Sequence, residues 1–584
     1  MAFILVSNHD PADNHIKRGV DFLNRGHFYA AITSFDHAVE QNLEDPAIYY
    51  GRGRAFGGLG NFDMAIKDLT TAITLEPDNA DAYFARAGAY MEQERYDEAI
   101  TDLSQAIKLN PLFVDARFNR GYVYYKLGNH QEAVANLRKV LYYDPDYASA
   151  LMLQADAYTA WGKYDRAETT LQRLIELQPD NHEAHTRLGS TQFNEKKLDD
   201  AIDSFSQAIK LNPTFAEAYI GRGAAFLQLG KHGEAVADYD HYVMLLPDEP
   251  TSYEYRGSAH YEMQSYTEAL EDYTRWAALT PANAAAHYSI GMTHNALTNY
   301  EQAIAKFNRA IELDATRELY FNDRGVSYYR LKQYEQAIAD LNRATELDAE
   351  FVWPYCNRAL VYYNQKNYQQ AILECERALE MDKNTPHVYA TKGAAHYQME
   401  EFEQAIAAYT EGLQLQTESF EVLISRAAAY EKLKKYDEAL ADSNRAIELF
   451  PDDSRAHNSR GYFHLQIRRY TDAIDDLNRA IQLNQDYAYA HNNRGAALSG
   501  LGRFEEAMAE FQKALELEHD MPHMPLTNLG CAHGSLGNYP DAIHYFSRAL
   551  DIAPNCVEAA AGLRNTLDRR DVSVQPVAES GMNG

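Results

Sequence analysis

Residues 119–133 read NRGYVYYKLGNHQEA. Gly121 stands inside a stretch of helical composition, Gly128 follows it, and Ala133 closes the stretch. Glycine inside a helix costs about 1 kcal/mol against alanine. A cost met once needs no explanation, but a recurring one implies a packing rule, and this stretch recurs along the chain.

A step of 34 residues from Gly121 meets Ala87, Gly53 and Gly19 upstream. Downstream it meets Ala155, Gly189, Gly223, Gly257, Gly291, Gly325, Ala359, Gly393, Ala427, Gly461 and Gly495. The next marker, Gly530, lies 35 residues on, a one-residue slip near HDMPHM at 519–524. Twelve residues after every marker stands an alanine, from Ala31 to Ala542. An aromatic often precedes that alanine by three, as at Phe62, Tyr96, Tyr164, Tyr266, Tyr334, Tyr436 and Tyr539. Proline closes nine of the units, among them Pro77, Pro111, Pro145 and Pro554.

The spacing predicts two antiparallel helices per unit and no strands. The small marker admits the second helix close to the first. Gly60, Gly128, Gly162, Gly230 and Gly502 fall where the first helix must stop, in the left-handed conformation that ends helices. Acids such as Asp97, Glu98, Asp437, Glu438, Glu505 and Glu506 open the second helix, where the dipole favours negative charge.

A 34-residue helix–turn–helix with small, aromatic, alanine and proline positions resembles the tetratricopeptide repeat (TPR) family. The resemblance implies an all-α, right-handed superhelical α-solenoid. It divides the chain into an extension at 1–11, sixteen repeats at 12–556 (one of 35 residues), a capping helix at 557–570 and a disordered tail at 571–584. Departures are few: Cys375 and Ser443 stand where a bulky apolar residue is usual, and several units lack the closing proline.

Sixteen copies in one chain serve as their own comparison. The residue before the marker is arginine in eleven units. Nine of these carry an acid sixteen residues on, as in Arg52/Asp68, Arg222/Asp238, Arg324/Asp340, Arg358/Glu374 and Arg494/Glu510. Units without the arginine lack the acid. The two positions change together, so they are expected to meet as structural ion pairs, worth about 0–1 kcal/mol each if exposed.

Composition bounds the function. The chain has 584 residues, 46% hydrophobic and 24% charged, with a net charge of −31. Nucleic acid and anionic membranes need a basic surface, so neither is an expected partner. Four cysteines build no disulfide framework, which points to a reducing, cytoplasmic setting. No apolar run approaches a membrane span, and MAFILVSNHDPADNH does not read as a signal peptide.

No phosphate loop, metal-ligand spacing or nucleophile–base arrangement stands out, so no cofactor, metal or catalytic residue is expected. His260, His294, His396, His464 and His533 share one repeat position with Tyr and Phe and read as packing. What remains is surface. The resemblance places a concave groove at the second, fifth, sixth, ninth and twelfth positions of each unit. The twelfth gives Tyr125, Tyr261, Tyr329, Tyr363 and Tyr397; the fifth gives Tyr50, Phe84, Phe118 and Tyr288. Asn119, Asn357, Asn493 and Asn528 stand at the sixth, and Asn322, Asn458 and Asn492 at the fifth. These aromatics read either as packing between repeats or as a peptide-binding face, and the amides either as solvated surface or as partners for a peptide backbone. The amides resemble, in part, the asparagine ladder of the O-GlcNAc transferase repeat domain. The lysine–asparagine pair of the EEVD carboxylate clamp is missing: Ile16 and Val20 occupy its positions in the first unit.

The expected function is therefore a non-enzymatic protein scaffold that binds peptides or proteins in its groove. A fixed subunit of a multiprotein assembly, such as a ciliary or trafficking complex, is the alternative. The favoured binding residues are Asn322, Tyr329, Asn357, Tyr363, Tyr397, Asn458, Asn492, Asn493 and Asn528, and the expected occupant is a neutral or basic segment.

Overall fold

The computed structural model describes residues 11–41, 44–416, 418–517 and 520–573. Among them thirty-three helices follow one another with no strand, from α1 (Pro11–Asn24) to α33 (Val557–Ser573). Odd-numbered helices are the first of each pair and even-numbered ones the second. The chain divides into two compact units, 1–286 and 287–584. Within each, helices pack on their sequence neighbours, and many odd helices also pack on the next odd one, as α27 (Ser454–Gln466) does on α29 (Ala488–Gly500). No two even helices pack comparably among the described residues. The odd helices therefore form the inner wall of each unit.

The marker glycines have a sharper purpose than close helix approach. Each faces the residue sixteen positions on, which plugs the space between the paired helices. A Cβ at Gly291 would lie 2.6 Å from the Phe307 ring, and one at Gly393 2.6 Å from Tyr409. Aromatic plugs occur only opposite glycine; the four alanine markers face Leu103, Leu171, Cys375 and Ser443. The two departures from the family pattern, Cys375 and Ser443, both face an alanine and are fully buried, although Leu103 and Leu171 also fit opposite alanine.

The turn after each first helix has one conformation throughout. Seven glycines, including Gly60, Gly128, Gly162, Gly230 and Gly502, take φ between 70° and 80°. The equivalent position in the other nine units is Glu94, Lys196, Gln264, Thr298, Lys332, Lys366, Glu400, Lys434 or Arg468, with φ of 56–67°. Sixteen such turns recur, so the pair geometry forces the left-handed backbone even where no glycine is available. The acids expected at second-helix starts lie in those first turns, as with Asp97 and Glu98 in α6 (Tyr96–Leu109).

All nine arginine–acid pairs form, at 2.5–2.7 Å. They are not exposed: Asp68, Asp102 and Glu374 are 1–3% exposed, so the surface value of such a pair does not apply. Each arginine also reaches back sixteen residues to the preceding second helix. Arg222 Nη1 donates to Ser206 Oγ at 2.9 Å and Arg324 Nη1 to Asn308 Oδ1 at 2.6 Å. One guanidinium thus ties three helices.

At the C-terminal end α33 stacks on α32 (Tyr539–Ile552), with Gly562 seated against the Phe546 ring. It continues to Ser573, three residues into the stretch expected as tail. The rest of that tail, and the extension up to residue 10, lie outside the described residues.

Candidate functional site

Three amide rungs cross the inner wall of the second unit. Asn357 Nδ2, on α21 (Val352–Asn364), donates to Asn322 Oδ1 on α19 (Glu318–Arg330) at 2.9 Å. Asn493 Nδ2 on α29 donates to Asn458 Oδ1 on α27 at 3.0 Å. Asn528 Nδ2, on α31 (His523–Ser535), donates to Asn492 Oδ1 on α29 at 3.0 Å. The separations are 35, 35 and 36 residues, the last spanning the slip. A sixth-position amide thus reaches back to the fifth-position amide of the unit before.

The amide residues singled out in the sequence are therefore not equivalent. Asn322 and Asn492 are 6% and 3% exposed and serve as buried acceptors. Asn322 also donates to Asp323 Oδ1 at 2.8 Å, and Asp323 Oδ2 accepts from the Tyr288 hydroxyl at 2.6 Å. Burial raises the Asp323 carboxyl above the usual carboxylate range. The Asn357, Asn493 and Asn528 side chains are half-buried, and their Oδ1 atoms accept no hydrogen bond among the described residues. Each rung therefore presents an acceptor beyond its own bond.

Aromatic residues divide likewise. The twelfth-position tyrosines pack on the second helix of their own unit: the Tyr363–Tyr368 and Tyr397–Phe402 ring centroids are 5.6 and 5.5 Å apart. Tyr329 accepts a bond from Asn364 Nδ2 at 2.9 Å. Phe84 and Phe118 of the first unit pack on the residue that leads into the next first helix, Phe84 tilted against Phe113 and Phe118 edge-on against Tyr147. There the packing alternative holds.

Between the rungs lies a notch that sequence reading missed. A pocket of about 220 Å³ is lined by Tyr363, Tyr397, Ala394 and Gln398, with Ser425 and Ala428 on its far side. A second, of about 420 Å³, shares Ser425 and Ala428 and continues past Ile424 to Phe420, Asn458, Tyr462 and Tyr487. Both exist because the ninth position is alanine in α23 (Pro386–Gln398) and α25 (Phe420–Lys432), between Leu360 and Tyr462. The run RAAAY at 426–430 was the available cue.

Charge at this wall balances. From α19 to α31 the groove positions and the thirteenth hold Asp323, Glu421 and Glu431 against Arg330, Lys432 and Arg455. Arg455 covers the Phe420 ring at 4.3 Å and is neutralised by Asp453 at 2.6 Å, with Glu421 at 3.8 Å. Much of the chain's acidity lies on second-helix starts, as at Glu335, Glu403 and Asp437.

Asp165, Glu168 and Glu195 converge within metal-ligand reach. Lys197 Nζ bonds Glu168 at 3.1 Å and Glu195 at 2.9 Å, so this trio reads as an ion-pair cluster. Cys356 and Cys375 are buried, which pushes both thiols up to about 12. No helix among the described residues is long and apolar enough to cross a membrane.

Family profiles described as tetratricopeptide repeat match residues 124–188, 256–318, 430–488, 488–521 and 525–556. A profile described as TPR repeat matches 59–93, 87–128, 193–230 and 325–366. Residues 364–442 match a profile for subunit 3 of the anaphase-promoting complex, or cyclosome. No curated protein matches the chain. Among solved structures, the Cut9–Hcn1 hetero-tetramer of the APC/C aligns at 16% identity over 84% of this chain and 96% of that one, TM-score 0.37. Yeast Tom70 aligns at 16% identity over 86% and 98%, TM-score 0.32. A tetratricopeptide repeat protein from Parabacteroides merdae aligns at 19% over 42% and 98%, TM-score 0.36. Scores this low carry no argument about function.

Proposed function

The chain belongs to the tetratricopeptide repeat family, and we propose that it is a scaffold holding an extended protein segment along the inner wall of its second unit. Proteins built of such repeats act in protein–protein interaction. The observation that carries the finer reading is the set of amide rungs. A rung spends one donor and one acceptor on itself and keeps a further acceptor for a backbone N–H. A position that served packing alone would have no use for a polar group there, because a half-buried amide costs desolvation unless it is matched.

Selection of segments from a displayed random-peptide library on the full chain tests this. Segments selected on the wild type are expected to bind the Asn357→Ser, Asn493→Ser, Asn528→Ser triple variant at least about tenfold more weakly. Equal binding to both, or hydrogen-exchange protection confined to the second helices, would sink the reading.

The match of residues 364–442 to an assembly subunit favours a second reading, a fixed subunit of a multiprotein complex. The two readings part on native purification. A fixed subunit co-purifies in constant stoichiometry, whereas a scaffold releases its segments on dilution.

A further inference from the structure

We propose that the notch across α25 selects a neutral segment in polyproline II conformation that carries two apolar side chains three residues apart. This rests on the scaffold reading above and adds the sequence chemistry of the occupant.

The argument begins with the missing side chains. Ala394 and Ala428 leave two pockets open, one between α23 and α25 and one between α25 and α27. The first is walled by the Tyr363 and Tyr397 rings. The second is walled by Phe420, Ile424, Tyr462 and Tyr487. Such walls take up apolar side chains. The ionic groups near the second pocket are engaged: Arg455 with Asp453, and Glu431 with Lys432 at 3.5 Å. An occupant bearing net charge of either sign would meet no unmatched counter-charge here, so a neutral one fits.

Spacing fixes the conformation. The pockets lie one helix apart, and packed helices sit about 8–10 Å from axis to axis. Polyproline II rises about 3.1 Å per residue with three residues per turn, so residues i and i+3 share one face about 9 Å apart. A β-strand places same-face residues about 7 or 13 Å apart, which straddles the gap. Polyproline II also leaves every backbone N–H and C=O unpaired. Asn357 on α21 and Asn493 on α29 stand on the helices that flank the notch, so a segment long enough to cross it offers backbone N–H groups to both rungs.

The test uses three fluorescent, uncharged, proline-rich peptides and anisotropy titration against the full chain. One carries Leu at i and i+3, one Leu at i and i+2, and one no Leu. The first should bind at least about tenfold more tightly than the second, since only it buries both leucines. Ala394→Leu and Ala428→Leu, at half-buried positions facing the open pockets, should erase the preference with an unchanged melting temperature. Should either variant fold poorly, Ile424→Ala enlarges the second pocket and should shift preference from Leu to Phe at that peptide position. Equal affinity for both spacings, or a preference that survives both leucine variants, overturns the proposal. If these peptides fail while library-selected segments still lose affinity on the triple asparagine variant, the notch proposal falls and the scaffold reading stands. If the library segments also bind the triple variant unchanged, both fall.

Discussion

The two units share one skeleton and differ at one wall. In the first unit the fifth groove position is mainly apolar, with Ile16, Tyr50, Phe84, Phe118, Met152 and Ile220 beside Thr186 and Glu254. In the second it includes Asn322, Asn458 and Asn492 beside Tyr288, Cys356, Ala390, Ile424 and Thr527. Phe84 and Phe118 close on the next pair by tilted and edge-on ring contacts, whereas the asparagines close on it by hydrogen bonds. A packed ring has no polar group to offer, but an amide rung keeps an acceptor beyond its own bond. Charge differs too. From α3 (Pro46–Gly58) to α15 (Pro250–Glu262) the groove positions and the thirteenth carry eight acids, Asp81 to Glu262, against Arg54, Lys126 and Arg187. The second unit's wall is balanced. The repeat fixes the stacking, and function resides in what the wall positions hold.

The largest expected effect tests whether the skeleton really is common to both. Arg222→Met in the first unit strands Asp238, and Arg426→Met in the second strands Asp442; both acids are buried. Each change should cost about 3–5 kcal/mol of local stability, read by hydrogen exchange in the affected pairs. Replacing both partners at once, as in Arg222→Met with Asp238→Leu, should recover most of the loss. A large cost in one unit and none in the other would break the shared-skeleton half of the comparison.

Next in size is an exchange of wall residues. Phe118→Asn loses the Tyr147 ring contact and gains no rung, because Leu153 stands where the partner amide would be. It should cost about 2 kcal/mol. Asn458→Phe loses one rung bond while Asn493 stays half-exposed to water, and should cost about 1 kcal/mol. Chemical unfolding of the two variants measures the difference. Equal costs would mean that the two closures are interchangeable and that the asparagines carry no special meaning.

Much of this was legible in the sequence because it recurs. The 34-residue step, the marker glycines and the arginine–acid pairs each appear many times, so chance was excluded within one chain. The reason for the glycines was not legible, since the plug sixteen residues on changes from Phe to Leu to Tyr while its role stays fixed. The second partner of each arginine was hidden likewise: Asp36, Thr70, Ser104, Asn308 and Asn478 all accept the same bond. The asparagines were seen, but as two separate sets. Their partners lie 35 residues apart, one off the period, so a search in phase parted them. The notch was invisible for a simpler reason: it is volume left by absent side chains, and only the alanine run hinted at it.

A smaller effect concerns pH and the polar character of the second wall. Burial raises the Asp323 carboxyl above its unfolded value of about 3.9. A carboxyl raised on folding binds its proton more tightly in the native state. It therefore imposes a penalty that is absent below the unfolded value and grows as pH rises through the folded one. Asp323→Asn removes the charge and keeps an acceptor for Asn322. The variant should melt higher than wild type near pH 7, by the equivalent of about 1 kcal/mol or less, and should match it near pH 3. A difference that does not change with pH would mean that the carboxyl is not strained by burial.

The smallest effect lies in the turns, where both units should respond alike. Lys196 in the first unit and Lys434 in the second hold φ of 67° and 58°. A residue with a Cβ is held there at a cost of about 1 kcal/mol or more, which glycine does not bear. Glycine loses more backbone freedom on folding, and this takes back part of the gain. Lys196→Gly and Lys434→Gly should therefore each stabilise by about 0.5 kcal/mol, a small rise in melting temperature. Lys→Ala at the same sites should give no such rise, because alanine keeps the Cβ. If glycine destabilises in one unit only, the sixteen turns are not equivalent, and the difference between the units reaches beyond the wall into the turns.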